Sequence, residues 1–160
     1  MGNFRKVTWL LTGLFLAVFS LLLGPDLWVK FQASQQATQF LKHAANQDFE
    51  KAFDHVYFYN GAYDEDVTIE ENSARSSWVS RNKKLFIEGT YLKSYAHLSI
   101  RMDDGWPNGT VDIVMMEKGK EKHYPNVYIS FNKKNKWQVG MLQSFQEKDW
   151  EKPYSGHVVQ

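Results

Sequence analysis

Hydrophobic positions change pattern several times along the chain, and each change predicts an element. Residues 7–23 (VTWLLTGLFLAVFSLLL) carry no charge, and apart from Gly13 only Thr8, Thr12 and Ser20 are not apolar. Gly24-Pro25-Asp26 is expected to break or kink the helix that follows from this run. From 28 to 45 the apolar residues thin to a helical stripe of Ala33, Ala37, Phe40, Leu41 and Ala44. Asn46-Gln47-Asp48 reads as a stop and a new cap, and Phe49, Ala52, Phe53 and Val56 form the stripe of a second helix. A third helix is expected over 73–86, with Ala74, Trp78, Val79, Leu85 and Phe86 as its apolar members and Gly89 as its end. The acidic stretch 63–72 just before it suits its positive N-terminal end.

From Tyr91 the period falls to two. Four strands are predicted, at 91–102, 110–116, 123–131 and 137–142, joined by turn-rich connections that make an antiparallel meander. Asn108-Gly109 is expected in the first of those turns. The tail, 146–160, has no period and is expected to be loose, with Trp150 and Tyr154 able to dock.

As helix, the seventeen uncharged residues cover roughly 25 Å, the short end for a ~30 Å hydrocarbon core. Trp9 and Trp28 bracket them as interfacial rings would. Arg5 and Lys6 precede the run and Asp26 follows it, so the positive-inside bias keeps residues 1–6 cytoplasmic and sends the remainder outside. The expected order is a transmembrane helix at 7–23, a stalk at 24–36, a folded domain at 37–145 and the tail. A cleaved secretory signal is the other reading, and it would leave the same domain free outside. Leu22, Leu23, Gly24 and Pro25 offer a poor cleavage site for it.

The part beyond the anchor holds 17 basic against 18 acidic residues, which gives no electrostatic case for binding nucleic acid. No cysteine is present, so disulfides, thiolate catalysis and thiolate metal sites are all excluded. An aromatic content of 16% requires either a core or a contact surface to absorb the rings.

Helices followed by a curved antiparallel sheet make an α+β fold. The AxxFL…DFEKAF helix pair at 37–53, the Trp78 helix, the GxYxxSYxxLxI strand entry at 89–100 and the closing Trp137-Gln138-Val139-Gly140 strand together resemble one family. It is the nuclear-transport-factor-two-like, or cystatin-like, superfamily in its small membrane-anchored form from Gram-positive bacteria. The resemblance implies a cystatin-like roll, two or three helices on a curved four-stranded sheet. It also brings to mind enzymes with an Asp, His or Tyr pair in the cone between helices and sheet, and rolls that pair through the outer sheet face.

Strand alternation places Ala96, Leu98, Ile100, Met102, Val111, Ile113, Met115, Val127, Ile129, Phe131, Trp137, Val139 and Met141 on the inner face. The ionisable His97, Arg101 and Asp112 fall on the outer face, where burial does little to tune a pKa. Tyr57, Tyr59, His55 and Asp54 are the candidates for the mouth of the cone. No His pair has ligand spacing, and Asp64-x-Asp66-x-Thr68-x-Glu70 departs from a calcium loop at Ile69 and Arg75, so neither a metal nor a cofactor is expected. The expected partner face is Tyr95, His97, Val114, Met116, Tyr128 and Leu142, half apolar and poor in charge. It is open to a second copy or a membrane-protein partner unless the tail covers it. The expected function is therefore a non-enzymatic, extracytoplasmic interaction module. The alternative is a pocket for a small apolar ligand lined by Phe49, Phe53, Trp78, Met115 and Trp137, and an isomerase-like or dehydratase-like enzyme comes third.

Overall fold

Small residues at helical spacing let the first helix lie close against the sheet, and the rest of the chain packs around that contact. The computed structural model describes residues 2–63, 67–134 and 136–158, with side chains from residue 24 onward. Three helices, α1 (Gly2–Ala45), α2 (Phe49–Phe53) and α3 (Glu71–Ile87), precede four strands. These are β1 (Tyr91–Asp103), β2 (Trp106–Glu117), β3 (Lys120–Lys133) and β4 (Trp137–Gln143), and a short α4 (Glu151–Tyr154) ends the chain. The strands form one antiparallel sheet in the order β1-β2-β3-β4, as the short connections require. The architecture is α+β.

Ala33, Ala37, Phe40, Leu41 and Ala44 are fully buried, so the predicted stripe is the core-facing side of α1. Contrary to expectation, Pro25 lies inside α1 and does not end it. The side chains of the proposed membrane span, 7–23, lie outside the described residues. Among the described residues no helix is long and apolar enough to cross a membrane. α2 is shorter than its apolar pattern, because Val56 leaves the helix to bridge Val139 in parallel. Arg75 ties α3 to α2. Its guanidinium sits 2.8 Å from Asp54 and 4.8 Å over the Phe53 ring.

Two of the turns are tighter than predicted. Asp104 and Gly105, then Lys118 and Gly119, have positive φ at both central positions, the two-residue hairpin geometry that matches strand twist. Asn108-Gly109 accordingly lies within β2 and not in a turn. A Cβ on Gly109 would sit 2.1 Å from the Ser99 carbonyl oxygen, so the close approach of β1 accounts for the glycine.

The tail is not loose. Trp150, Tyr154 and Val158 are at most 2% exposed and belong to the main core. Trp150 meets the Tyr124 ring at 5.5 Å, and the Leu92 N–H donates to the Tyr154 hydroxyl at 3.1 Å. Tyr154→Phe should strand that buried amide and cost about 1–3 kcal/mol, read as a lower urea midpoint. Trp78 Nε1 and both terminal nitrogens of Arg81 donate to the carbonyls of Pro153, Ser155 and His157. With only carbonyls as partners there, burial pushes the Arg81 guanidinium down to about 10.

Residues 55–57 pair with the free edge of β4 at Val139, and Tyr59 bridges His157 of the tail. Tyr57 N–H donates to the Val139 carbonyl and Val139 N–H to that of His55. The His55 ring stacks on His43 at 5.9 Å and its Nδ1 lies 2.7 Å from Gln36 Oε1. Burial, with Lys136 and His43 nearby and Asp54 opposing, lowers its pKa to about 4. The unfolded chain takes up this proton near pH 6.5 and the folded chain only near 4. Between those values the unfolded state binds more protons, so stability should fall as the solution is acidified through that window. The half-exposed ring limits the loss to about 1–2 kcal/mol. His55→Gln should flatten that part of the pH–stability curve.

Candidate functional site

Bulges in the sheet decide which predicted residues share a face. Pairing slips between Leu92 and Ser94, between Ala96 and Ser99, opposite Asp112, and at Gly140 of β4. Each extra residue reverses the side-chain parity beyond it. Tyr95 therefore pairs with Ile113 and turns towards the core, half-buried. Leu142 pairs with Ile129 and is 2% exposed. Both were expected on the outer face. Conversely, Ala96 pairs with Asp112 and Met141 with Ser130, which puts two residues expected inside on the outer face. Nine of the remaining inner-face predictions hold: Ile100, Val111, Ile113, Met115, Val127, Ile129, Phe131, Trp137 and Val139 are all buried.

The outer face has two halves. Over β3 and β4 the chain wraps back and covers it. The Tyr63 hydroxyl lies 3.2 Å from Ser130 Oγ, Asn132 donates to the Tyr63 carbonyl, and a Cβ on Gly140 would strike the Tyr63 ring. Tyr57, Tyr59 and Tyr63 pack edge to face and stacked, with ring centroids 5.1–6.1 Å apart. Burial raises the hydroxyl pKa of Tyr59 and of Tyr63. This tyrosine cover was not foreseen. The aromatic run at 57–63 was its only signal, and nothing in that run says which face it reaches.

Over β1 and β2 the outer face is open. Ser94, Ala96 and Ser99 are exposed, Thr110, Val114 and Met116 are half-buried, and Tyr128 stands beside Thr110 at 37% exposure. At its centre His97 Nδ1 lies 2.8 Å from Asp112 Oδ2, while Asp112 Oδ1 accepts the Asn126 N–H at 2.8 Å. Those two bonds, the Asn126 amide first, hold the Asp112 carboxyl below its usual range. His97 and Asn126 both have positive φ, so the backbone is bent on either side of this carboxylate. The His97 side chain is 83% exposed. A His–Asp pair in open solvent orients a ring but excludes no water.

The other candidates are dispersed. Asp54 pairs with Arg75, His55 with Gln36, and Tyr57 and Tyr59 join the tyrosine cover. Of the proposed pocket lining, Phe49 and Phe53 pack on Trp78 at 6.5 and 5.8 Å. Trp137 lies against Trp106 at 5.2 Å, and Met115 is 1% exposed in the same core. Phe40 of α1, Phe49 and Phe53 of α2, Trp78 of α3, and Trp150 and Tyr154 of the tail are buried in one core cluster. A surface cleft of about 510 Å³ lies instead between Tyr59, Leu142, Glu151 and His157. Its Glu151 already accepts the Ser144 and Lys148 amides. Among the described residues no group of three His, Asp or Glu could hold a metal ion. The acidic residues 64–66 of the calcium-like stretch lie outside the described residues. The chain matches no protein-family model, no curated protein and no solved structure.

Proposed function

We propose that this chain is a single-pass membrane protein whose residues 7–23 cross the bilayer with the N-terminus cytoplasmic. Its extracytoplasmic part is a cystatin-like roll acting as an interaction module without catalytic activity. The observation that supports this reading is the contrast between the two sheet faces. The inner face is filled by rings, and the open half of the outer face presents small residues bordered by Val114, Met116 and Tyr128. A bed of Ser94, Ala96, Ser99 and Thr110 lets another backbone approach closely, and exposed Tyr128 offers an anchor of the kind that dominates contacts. A second copy of the chain is the first partner and another membrane protein the second. Burial of Phe49, Phe53, Trp78 and Met115 favours this reading over a pocket for an apolar ligand, and the exposure of His97 favours it over an acid–base enzyme.

Tyr128→Glu and Val114→Glu place a charge on this face without touching the core. Either should weaken self-association about tenfold or more in sedimentation equilibrium, with the thermal midpoint unchanged. Association that survives both substitutions would rule out this face.

A further inference from the structure

The base of α1 exposes a contiguous run of large apolar side chains. Leu27, Trp28 and Phe31 are 61%, 60% and 51% exposed, and the Trp28 and Phe31 rings stack at 5.9 Å. At positions i, i+1 and i+4 they share one side of the helix, while Val29 and Ala33 turn towards the core. We infer that this side is seated in the lipid headgroup layer, so that the domain rests directly on the bilayer with no stalk between. The inference rests on residues 7–23 being the membrane anchor.

Three observations lead to a lipid surface as the occupant. A ~30 Å hydrocarbon core takes about 20 helical residues, and the uncharged run supplies seventeen. The boundary therefore falls near Asp26, and Leu27, Trp28 and Phe31 occupy the next turn and a half, where amphipathic rings concentrate. Second, α1 continues through Gly24 and Pro25 into the domain, so no loop separates anchor from domain. Third, Ala33 is already fully buried in the domain core seven residues after Asp26, which as helix is about 10 Å. A headgroup layer of roughly 5–8 Å takes up much of that distance. Exposed Lys30 can keep its ammonium among the headgroups while its stem lies along the apolar side.

Because the chain has no cysteine, single nitroxide labels can be placed at will. The full chain would be reconstituted in phosphatidylcholine–phosphatidylglycerol nanodiscs with a label at Leu16→Cys, Phe31→Cys or Gln39→Cys. Accessibility to oxygen, which partitions into lipid, would be compared with accessibility to a water-soluble nickel chelate. The expected result is a lipid signature at residue 16, a water signature at 39, and at 31 a chelate accessibility at least about threefold below that at 39. Trp28→Ser in the Phe31→Cys background should move residue 31 towards water. Equal accessibility at 31 and 39, with 16 in lipid, would overturn the docking and leave the anchor standing. Shielding of residue 31 from both reagents would assign this side to protein. Water access at 16 would overturn the anchor, and the docking with it.

Discussion

Trp78→Ala should cost about 3–5 kcal/mol, a large part of the 5–15 kcal/mol that holds an ordinary domain together. The indole is fully buried and touches rings from two other helices, with Phe40, Phe49 and Phe53 at centroid distances of 5.8–6.5 Å. Its Nε1 also donates to the Ser155 carbonyl at 2.9 Å, so the same side chain holds the tail. Truncation leaves a cavity lined by rings that cannot all collapse inward, and it removes a donor from a buried carbonyl. Trp78→Phe keeps most of the volume and should cost clearly less. Urea denaturation of the two variants measures both effects. A loss below about 1 kcal/mol for the alanine variant would mean that the rings do not fill the space between helices and sheet.

Gly156→Ala should destabilise the chain by about 3 kcal/mol, against the slight gain that replacing a glycine brings where space allows. Gly156 joins two segments at once, since its N–H donates to the Gly140 carbonyl and its carbonyl accepts from Tyr59. A Cβ there would lie 1.7 Å from the backbone oxygen of Tyr57. No rotamer change relieves a clash with backbone, so either the 55–59 segment or the tail must move away. Hydrogen exchange should show which. The Tyr59 and Val158 amides, donors to Gly156 and Tyr59, should lose protection together while the β1–β2 ladder keeps it.

The stripe of α1, the sheet order and most of the inner face were legible because burial on one face imposes a period that survives in the residues. What could not be read were the places where that period slips. His97 and Asn126 adopt positive φ without being glycine; both are residue types enriched there, and Pro125 beside Asn126 suits a bulge, but neither signal says that the alternation reverses. One slip turned Tyr95 inward, another turned Leu142 inward, and both had been assigned to the partner face by strict alternation. The expected looseness of 146–160 failed for a related reason. Its buried apolar residues, Trp150, Tyr154 and Val158, are spaced by four, nearly one helical turn, among charged and polar neighbours. Their docking depends on carbonyl bonds to Arg81 and Asn82 more than seventy residues away in sequence. Of the break or kink expected at Pro25, the break does not occur, since α1 continues through it.

A native mass spectrum of residues 31–160 purified without detergent tests the filled core and the pairing sheet face at once. The expected result is a dimer whose mass is twice that of the chain, with nothing released on denaturation. A monomer carrying a small molecule that is lost on denaturation would contradict it, because a ligand would then occupy the space assigned here to Trp78, Trp150 and Tyr154.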